Sequence, residues 1–375
     1  MRLASPRRPG VILALVCVPI FIGALDLTIV SAVLPAVLTD LQVPVQTGLD
    51  DAVWVVSGYL LAYTASMTFM GRASDLWGRR RIYIVCLAIF IIGSALVAAA
   101  PDAPADLAYR IGQTLTGSRP DRSYMALYAL IFGRVVQAFG AGALVPVSMA
   151  LVGDLYPPER RAAPLGIIGG VDTAGWVLGH VYGGIMVQYF SWPVLFWINL
   201  PLAGAALALT AWALKDVPQP RSTGRFDWLG AGLITLTLIG LNLALNAGAE
   251  ASPGLTLSQL QEQPAFSLPL LLATVMALGA FGLVQYRSSS PLLNLTMFRD
   301  RNVYVASLAN LLIGFCLMAG LVSVPLYMNT VPTVLYGLDQ EQAALLAGYL
   351  LAALTVPMAL ASVVGGRLSD RLGYL

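Results

Sequence analysis

Val11 to Val30, "VILALVCVPIFIGALDLTIV", is an apolar stretch long enough to cross a lipid bilayer, since a helix needs about 20 residues for that. Runs of similar length recur along the whole chain. They constrain the fold before any motif is read. The hydrocarbon core offers no hydrogen-bond partners, so each run must satisfy its own backbone as a helix. Of all residues 58% are hydrophobic and 11% charged, against about a quarter charged in a soluble domain. The sequence predicts an all-α polytopic membrane protein with about ten transmembrane helices, at approximately 11–37, 51–70, 82–100, 125–153, 164–187, 193–214, 228–246, 268–286, 303–328 and 342–364.

The N-terminal "MRLASPRRPG" is basic, and the run after it continues through Asp26 to Pro35. That is longer than a signal-peptide core, so it reads as an uncleaved first span. With residues 1–10 as a cytoplasmic tail, Arg110, Arg119 and Arg122 fall outside and Arg134 lies within a span. Every other member of the 21 Lys and Arg falls inside, the asymmetry expected of a correctly counted topology. The outer loop 101–124 has turn residues at both ends and room for a surface helix, and the loop 247–267 is polar. A net charge of +2 gives no reason to expect nucleic acid. Cys17, Cys86 and Cys316 lie in apolar runs and read as packing residues. No metal site or cofactor is predicted, and the missing G-x-x-x-x-G-K-(S/T) loop disfavours an ATP-driven pump.

Two inner segments are related. "GRASDLWGRRR", Gly71 to Arg81, and "GRLSDRLG", Gly366 to Gly373, share G-R-x-S-D-x-x-G. A related inner loop in two halves marks an internally duplicated transporter. Gly71, Gly78 and Gly366 permit tight turns and close approach. Asp75 and Asp370 can cap a helix N-terminus or pair with an arginine. Together with Arg72, Arg79 and Arg371 they read as an inner latch that breaks when this side opens. Arg80 and Arg81 read as topology markers.

On these residues the chain resembles the major facilitator superfamily, whose signature inner loop is G-x-L-(A/S)-D-R-x-G-R-(R/K). Ala73 and Leu76 depart from it. "LDLTIVSAVLP", Leu25 to Pro35, is similar to the first-helix motif of the fourteen-helix drug:proton antiporters, with Ser31 where Asn is usual. "FGRVVQAFGAGAL", Phe132 to Leu144, resembles the R-x-x-Q-G-x-G-A motif of helix 4, and "SWPVLFWINLPLAG", Ser191 to Gly204, the opening of helix 6. The resemblance implies a six-helix bundle over 11–214, two inserted helices over 215–288, and the first two helices of a second bundle over 289–375. It also implies four further spans after Leu375, so the chain reads as truncated. The expected location is a bacterial-type plasma or inner membrane.

Asp26, Arg134, Asp172 and His180 lie within spans, where ionisable groups are costly and mark a pathway or relay by default. At ~1.5 Å per residue, Asp26 and Arg134 reach comparable depth in the outer half, Asp172 the middle, and His180 two turns further out. Asp26 and Arg134 can form one buried pair, either a static one or one that opens when the acid takes a proton; the resemblance implicates the helix-4 arginine in proton coupling. The antiporter motif of helix 5 appears as "GWVLGHVYGG", with His180 in place of proline. Its Gly175, Gly179, Gly183 and Gly184 form a packing seam that the resemblance places near the second bundle. Asp172 falls on that seam as a proton carrier or substrate contact. His180 either donates to a carbonyl between helices or modulates the outer seal. Trp54, Tyr59, Tyr63, Met149, Trp176 and Tyr182 can line a cavity, or simply pack.

The resemblance implies a secondary transporter, not an enzyme, that exchanges protons for drug-like or other amphipathic small molecules. A metabolite, sugar or lipid transporter of the same superfamily is the nearest alternative. A non-transporting membrane interaction protein or inactive fragment is the alternative from another class. The expected partners are the small-molecule substrate, protons and the lipid bilayer.

Overall fold

The computed structural model describes residues 9–117, 119–217, 219, 221–246, 266–336 and 340–372. Among them are helices and turns, and no strands. The helices are α1 (Pro9–Asp40), α2 (Val45–Trp77), α3 (Arg79–Ala98), α4 (Ala103–Thr116), α5 (Arg122–Gly142), α6 (Leu144–Leu155), α7 (Ala162–Tyr189), α8 (Trp192–Ala213), α9 (Trp228–Asn246), α10 (Leu268–Arg287), α11 (Arg301–Tyr336) and α12 (Gln340–Leu372). Eight segments are long and apolar enough to span a bilayer, and they coincide with the first eight expected spans. The ninth and tenth fall within α11 and α12. Most of the loop 247–267 lies outside the described residues.

Three local features differ from the sequence expectation. The span expected at 125–153 is two helices, α5 and α6, separated at Ala143. Pro146 lacks the N–H that would bond the Gly142 carbonyl, so the ladder breaks there. The motif Gly71 to Arg81, expected as a loop, is mostly helix: Gly71 to Trp77 form the last turns of α2, and Gly78 alone makes the turn into α3. Gly78 has φ 96°, a left-handed conformation that suits glycine. Gly366, Asp370 and Arg371 likewise lie within α12. The helices outrun the hydrocarbon because a backbone ladder, once formed, continues into water at little cost.

α1 packs along α7 and α8, α3 along α5 and α8, and α2 along α5. α9 pairs with α10 and touches α2, while α12 lies against α7 and holds α11. Lipid tails are as apolar as leucine, so helix association rests on close packing and not on burial from water. At Gly93 of α3 a Cβ would lie 2.6 Å from the Gln137 Cβ, so only glycine allows α5 this near.

The buried apolar residues fall into two layers. One includes Ile12, Val16 and Ile20 of α1 with Tyr83, Leu87 and Phe90 of α3 and Leu144. The other includes Ile29, Val33 and Val37 of α1 with Val97, Leu127, Leu130, Leu195 and Phe196. Along α1, α3, α5 and α8 the two layers are separated by one stratum of buried polar residues: Asp26, Ser94, Arg134, Gln137 and Asn199.

Candidate functional site

That stratum is a closed hydrogen-bond network. Arg134 Nη1 donates to Asp26 Oδ2 at 2.6 Å and to Gln137 Oε1 at 2.7 Å. Gln137 Nε2 donates to Asp26 Oδ1 at 3.1 Å and to Ser94 Oγ at 2.8 Å, and Asn199 Nδ2 reaches the same Oδ1 at 3.0 Å. One carboxylate thus joins α1, α5 and α8, and Gln137 extends the link to α3. The guanidinium lies 3.8 Å from the centroid of the Tyr59 ring and 5.8 Å from that of Phe196, within range of cation–π attraction. Asp26 and Arg134 have 0% and 1% of their side-chain surface exposed. A charge pair this dry holds together only because further donors and a ring face complete its environment. Among the described residues Arg134 Nε is buried without a hydrogen-bond partner, a donor left over inside the network.

Sequence reasoning singled out Asp26 and Arg134 but not Gln137, Asn199 or Ser94. Two of these had a signal. Gln137 is three residues after Arg134, on the same helix face, and Asn199 stands in the motif opening α8. Ser94 had none, since one serine in an apolar run is unremarkable. Tyr59, expected as a cavity wall, is 1% exposed against Arg134 and stacks on Tyr63 with ring centroids 6.1 Å apart. Trp54 and Trp176 are half-buried and Met149 is exposed.

Asp172 is on α7, half-buried, with Oδ1 buried and lacking a hydrogen-bond partner among the described residues. It is near enough to Tyr63 for the two to interact electrostatically. The backbone of His180 is within α7, while its side chain lies outside the described residues, as does the loop end Gly373.

The glycine seam divides in a way the sequence did not show. A Cβ on Gly175 would lie 2.6 Å from Ala24 Cβ, and one on Gly179 would meet Thr28 Oγ1 and the Leu25 carbonyl. These two therefore face α1 and not α12, the helix of the second bundle that the resemblance implied. The glycines that face α12 lie earlier on α7: a Cβ on Gly170 would be 2.9 Å from Val363 Cγ2, and one on Gly166 3.3 Å from Gly366 Cα. Gly183 is buried, and at Gly184 a Cβ would meet open space.

The two motif copies use their acids differently. Arg79 pairs with Asp75 at 2.7 Å and with Asp154, tying α2, α3 and α6 together. Arg72 Nη2 is 3.5 Å from Ser290 Oγ. Asp370 instead accepts from the backbone N–H of Ala162 and of Ala163, both at 2.9 Å. It therefore caps α7 from α12, satisfying two N–H groups that a helix start leaves unpaired. Arg371 is exposed. Replacing Asp370 by Ala is expected to cost about 1–2 kcal/mol, read as a lower thermal midpoint in detergent, with Asp370→Asn losing less.

Fold and site together define a polytopic helical membrane protein with an internally repeated inner motif and an ion pair buried among α1, α5 and α8. The chain belongs to the Major Facilitator Superfamily, whose family model matches residues 16–375. It is 32% identical to a triacylglyceride transporter of Mycolicibacterium hassiacum, over 99% of this chain and 63% of that protein. It is 27% identical to multidrug resistance protein 3 of Bacillus subtilis, over 95% of this chain and 60% of that one. It thus spans about three fifths of these relatives' length. Among solved structures, a double-tryptophan mutant of XylE shares the fold with a TM-score of 0.52 and 15% identity, covering 94% of this chain and 68% of that one.

Proposed function

We propose that the protein works as a proton-coupled secondary transporter that exports amphipathic small molecules by alternating access, with α1–α8 forming one rocking bundle and α11 and α12 belonging to the other. The observation that carries this is the Asp26 carboxylate, held at once by Arg134, Gln137 and Asn199. Ionised, it fastens α1 to α5 and α8. A proton arriving on Oδ2 removes the charge and the acceptor that Arg134 Nη1 uses. Arg134 then keeps Gln137 and the Tyr59 ring, and the hold of α1 on α5 weakens. Loss of the proton on the other side restores it. Protonation is in this way converted into helix movement, with no covalent chemistry. Asp172, near Tyr63 and with one oxygen unpartnered among the described residues, serves as a second proton carrier or as the contact for a polar part of the substrate.

The names of the relatives favour a lipid as substrate. Triacylglyceride transporters of several mycobacteria are about 30% identical over nearly the whole chain, and a multidrug resistance protein is also related. The test is reconstitution in proteoliposomes with an imposed pH gradient, following a lipophilic cationic dye and a labelled triacylglyceride in parallel. Gradient-driven movement of either, lost in Asp26→Asn, supports coupling through the pair. Movement of neither supports the non-transporting reading. Asp172→Asn is expected to flatten the dependence of transport on pH. A variant that matches the parent at every pH removes Asp172 from the coupling scheme, and His180→Pro tested in the same way decides the outer-seal role.

A further inference from the structure

α4 is a helix of 14 residues between α3 and α5, at the membrane face opposite the α2–α3 turn, and the transport scheme makes no use of it. Gly117, at φ 68°, ends it and donates its N–H to the Gln113 carbonyl. The helix crosses the start of α5. Asp106 pairs with Arg122 at 2.9 Å, and a Cβ on Gly112 would lie 3.3 Å from Pro120 Cγ and 3.5 Å from Met125 Sδ. Ala105 is fully buried in the layer that holds Ala126 and Leu127. Leu107, Ile111 and Leu115, one turn apart, are instead 60%, 51% and 80% exposed. With Ala105 at zero and about 100° per residue, they fall at about 200°, 240° and 280°, while Gln113, Asp106 and Arg110 fall at about 80°, 100° and 140°. The exposed apolar row thus adjoins the face that packs on α5, and the polar side chains take the other side.

We propose that α4 lies in the membrane–water boundary with Leu107, Ile111 and Leu115 among the acyl chains, and that it anchors α5 at a fixed depth. Its height is set by its neighbours. The apolar span that includes α5 begins at Arg122, the residue that Asp106 holds. Only residues 99–102 and 117–121 connect α4 to α3 and α5, so it has little room to rise away from the bilayer. A helix with one apolar and one polar side rests in the interface with the apolar side down. Charge does not draw it there, because Asp102, Asp106 and Asp121 balance Arg110, Arg119 and Arg122. Three aliphatic side chains are too few to seat a second copy, since a stable interface takes about 800 Å² from each partner. The exposed pair of Asp106 and Arg122 adds little by itself, which leaves the apolar row as the anchor. Arg134 lies about 18 Å further along α5, so the depth of α5 is also the depth of the buried ion pair.

The test is nitroxide labelling of the full chain in phosphatidylcholine nanodiscs, reading collision with oxygen, which partitions into lipid, and with a water-soluble nickel chelate. Cys316→Ser removes the exposed thiol, while Cys17 and Cys86 are buried. Labels at Ile111→Cys and at Leu115→Cys are each expected to show an oxygen-to-nickel ratio severalfold above that at Gln113→Cys. Two positions keep the result readable if one variant fails to fold. Equal ratios at the three positions place the row in water and overturn the proposal. Exclusion of both reagents at Ile111 and Leu115 overturns it too, because a protein surface then covers the row. For the anchoring role, a label at Phe132→Cys, on an exposed α5 residue, is expected to change its ratio when Leu107, Ile111 and Leu115 are all replaced by serine. An unchanged ratio there shows that α5 keeps its depth without α4 and overturns the anchor.

Discussion

Asp26→Leu is expected to destabilise the protein by about 3–5 kcal/mol and to abolish gradient-driven transport. The size follows from what is left behind. Arg134 is 1% exposed and, among the described residues, Asp26 is the one carboxylate that contacts it, so the variant strands a dry cation among Tyr59, Phe196 and Gln137. Gln137 and Asn199 each lose an acceptor as well, at about 1–3 kcal/mol for a buried donor left unsatisfied. Asp26→Asn keeps shape and an acceptor and should be milder in stability yet equally defective in coupling. Asp26→Leu with Arg134→Met removes both charges and should be more stable than Asp26→Leu alone. The measurement is thermal unfolding in one detergent, alongside the proteoliposome assay. Should the double variant prove the less stable of the two, the pair is not what sets the cost.

Gly179→Leu is expected to separate α1 from α7, at about 3 kcal/mol or more. A Cβ there meets Thr28 Oγ1, which can rotate, and the Leu25 carbonyl, which cannot without moving the helix. Leu25 immediately precedes Asp26, so displacement of α1 also pulls the carboxylate from Arg134. Stability and transport should therefore fall together. Gly184→Ala on the same helix, where a Cβ has open space, should be neutral or stabilising by up to about 1 kcal/mol from helix propensity. Equal loss at both positions, measured by thermal unfolding, would falsify the assignment of the α1–α7 contact to Gly179.

The spans were legible because each apolar run meets lipid on its own terms. Hydrogen-bond closure forces a helix whatever the neighbours do. Asp26 and Arg134 were legible for a related reason, since an ionisable group in such a run stands out against its surroundings. The break at Ala143 had a visible cause in Pro146, yet the apolar pattern runs straight through it. Asp75 and Asp370 occupy matching places in one motif, and sequence could not separate an acid that pairs with Arg79 from one that caps α7. The difference lies in which helix end is brought near, and that is not written in the motif.

By itself, then, the sequence determined an all-helical membrane protein, its first eight spans, the repeated inner motif and the two charges that had to be accounted for. These are properties of single segments in a known solvent. Only the tertiary structure decided that Ser94, Gln137 and Asn199 complete the network around Asp26, and that Gly175 and Gly179 seat α1 while Gly166 and Gly170 seat α12. Each of those is a meeting of residues from different helices. It depends on the rotation and height of every helix at once, and lipid, being indifferent to both, leaves that choice to packing and hydrogen bonds.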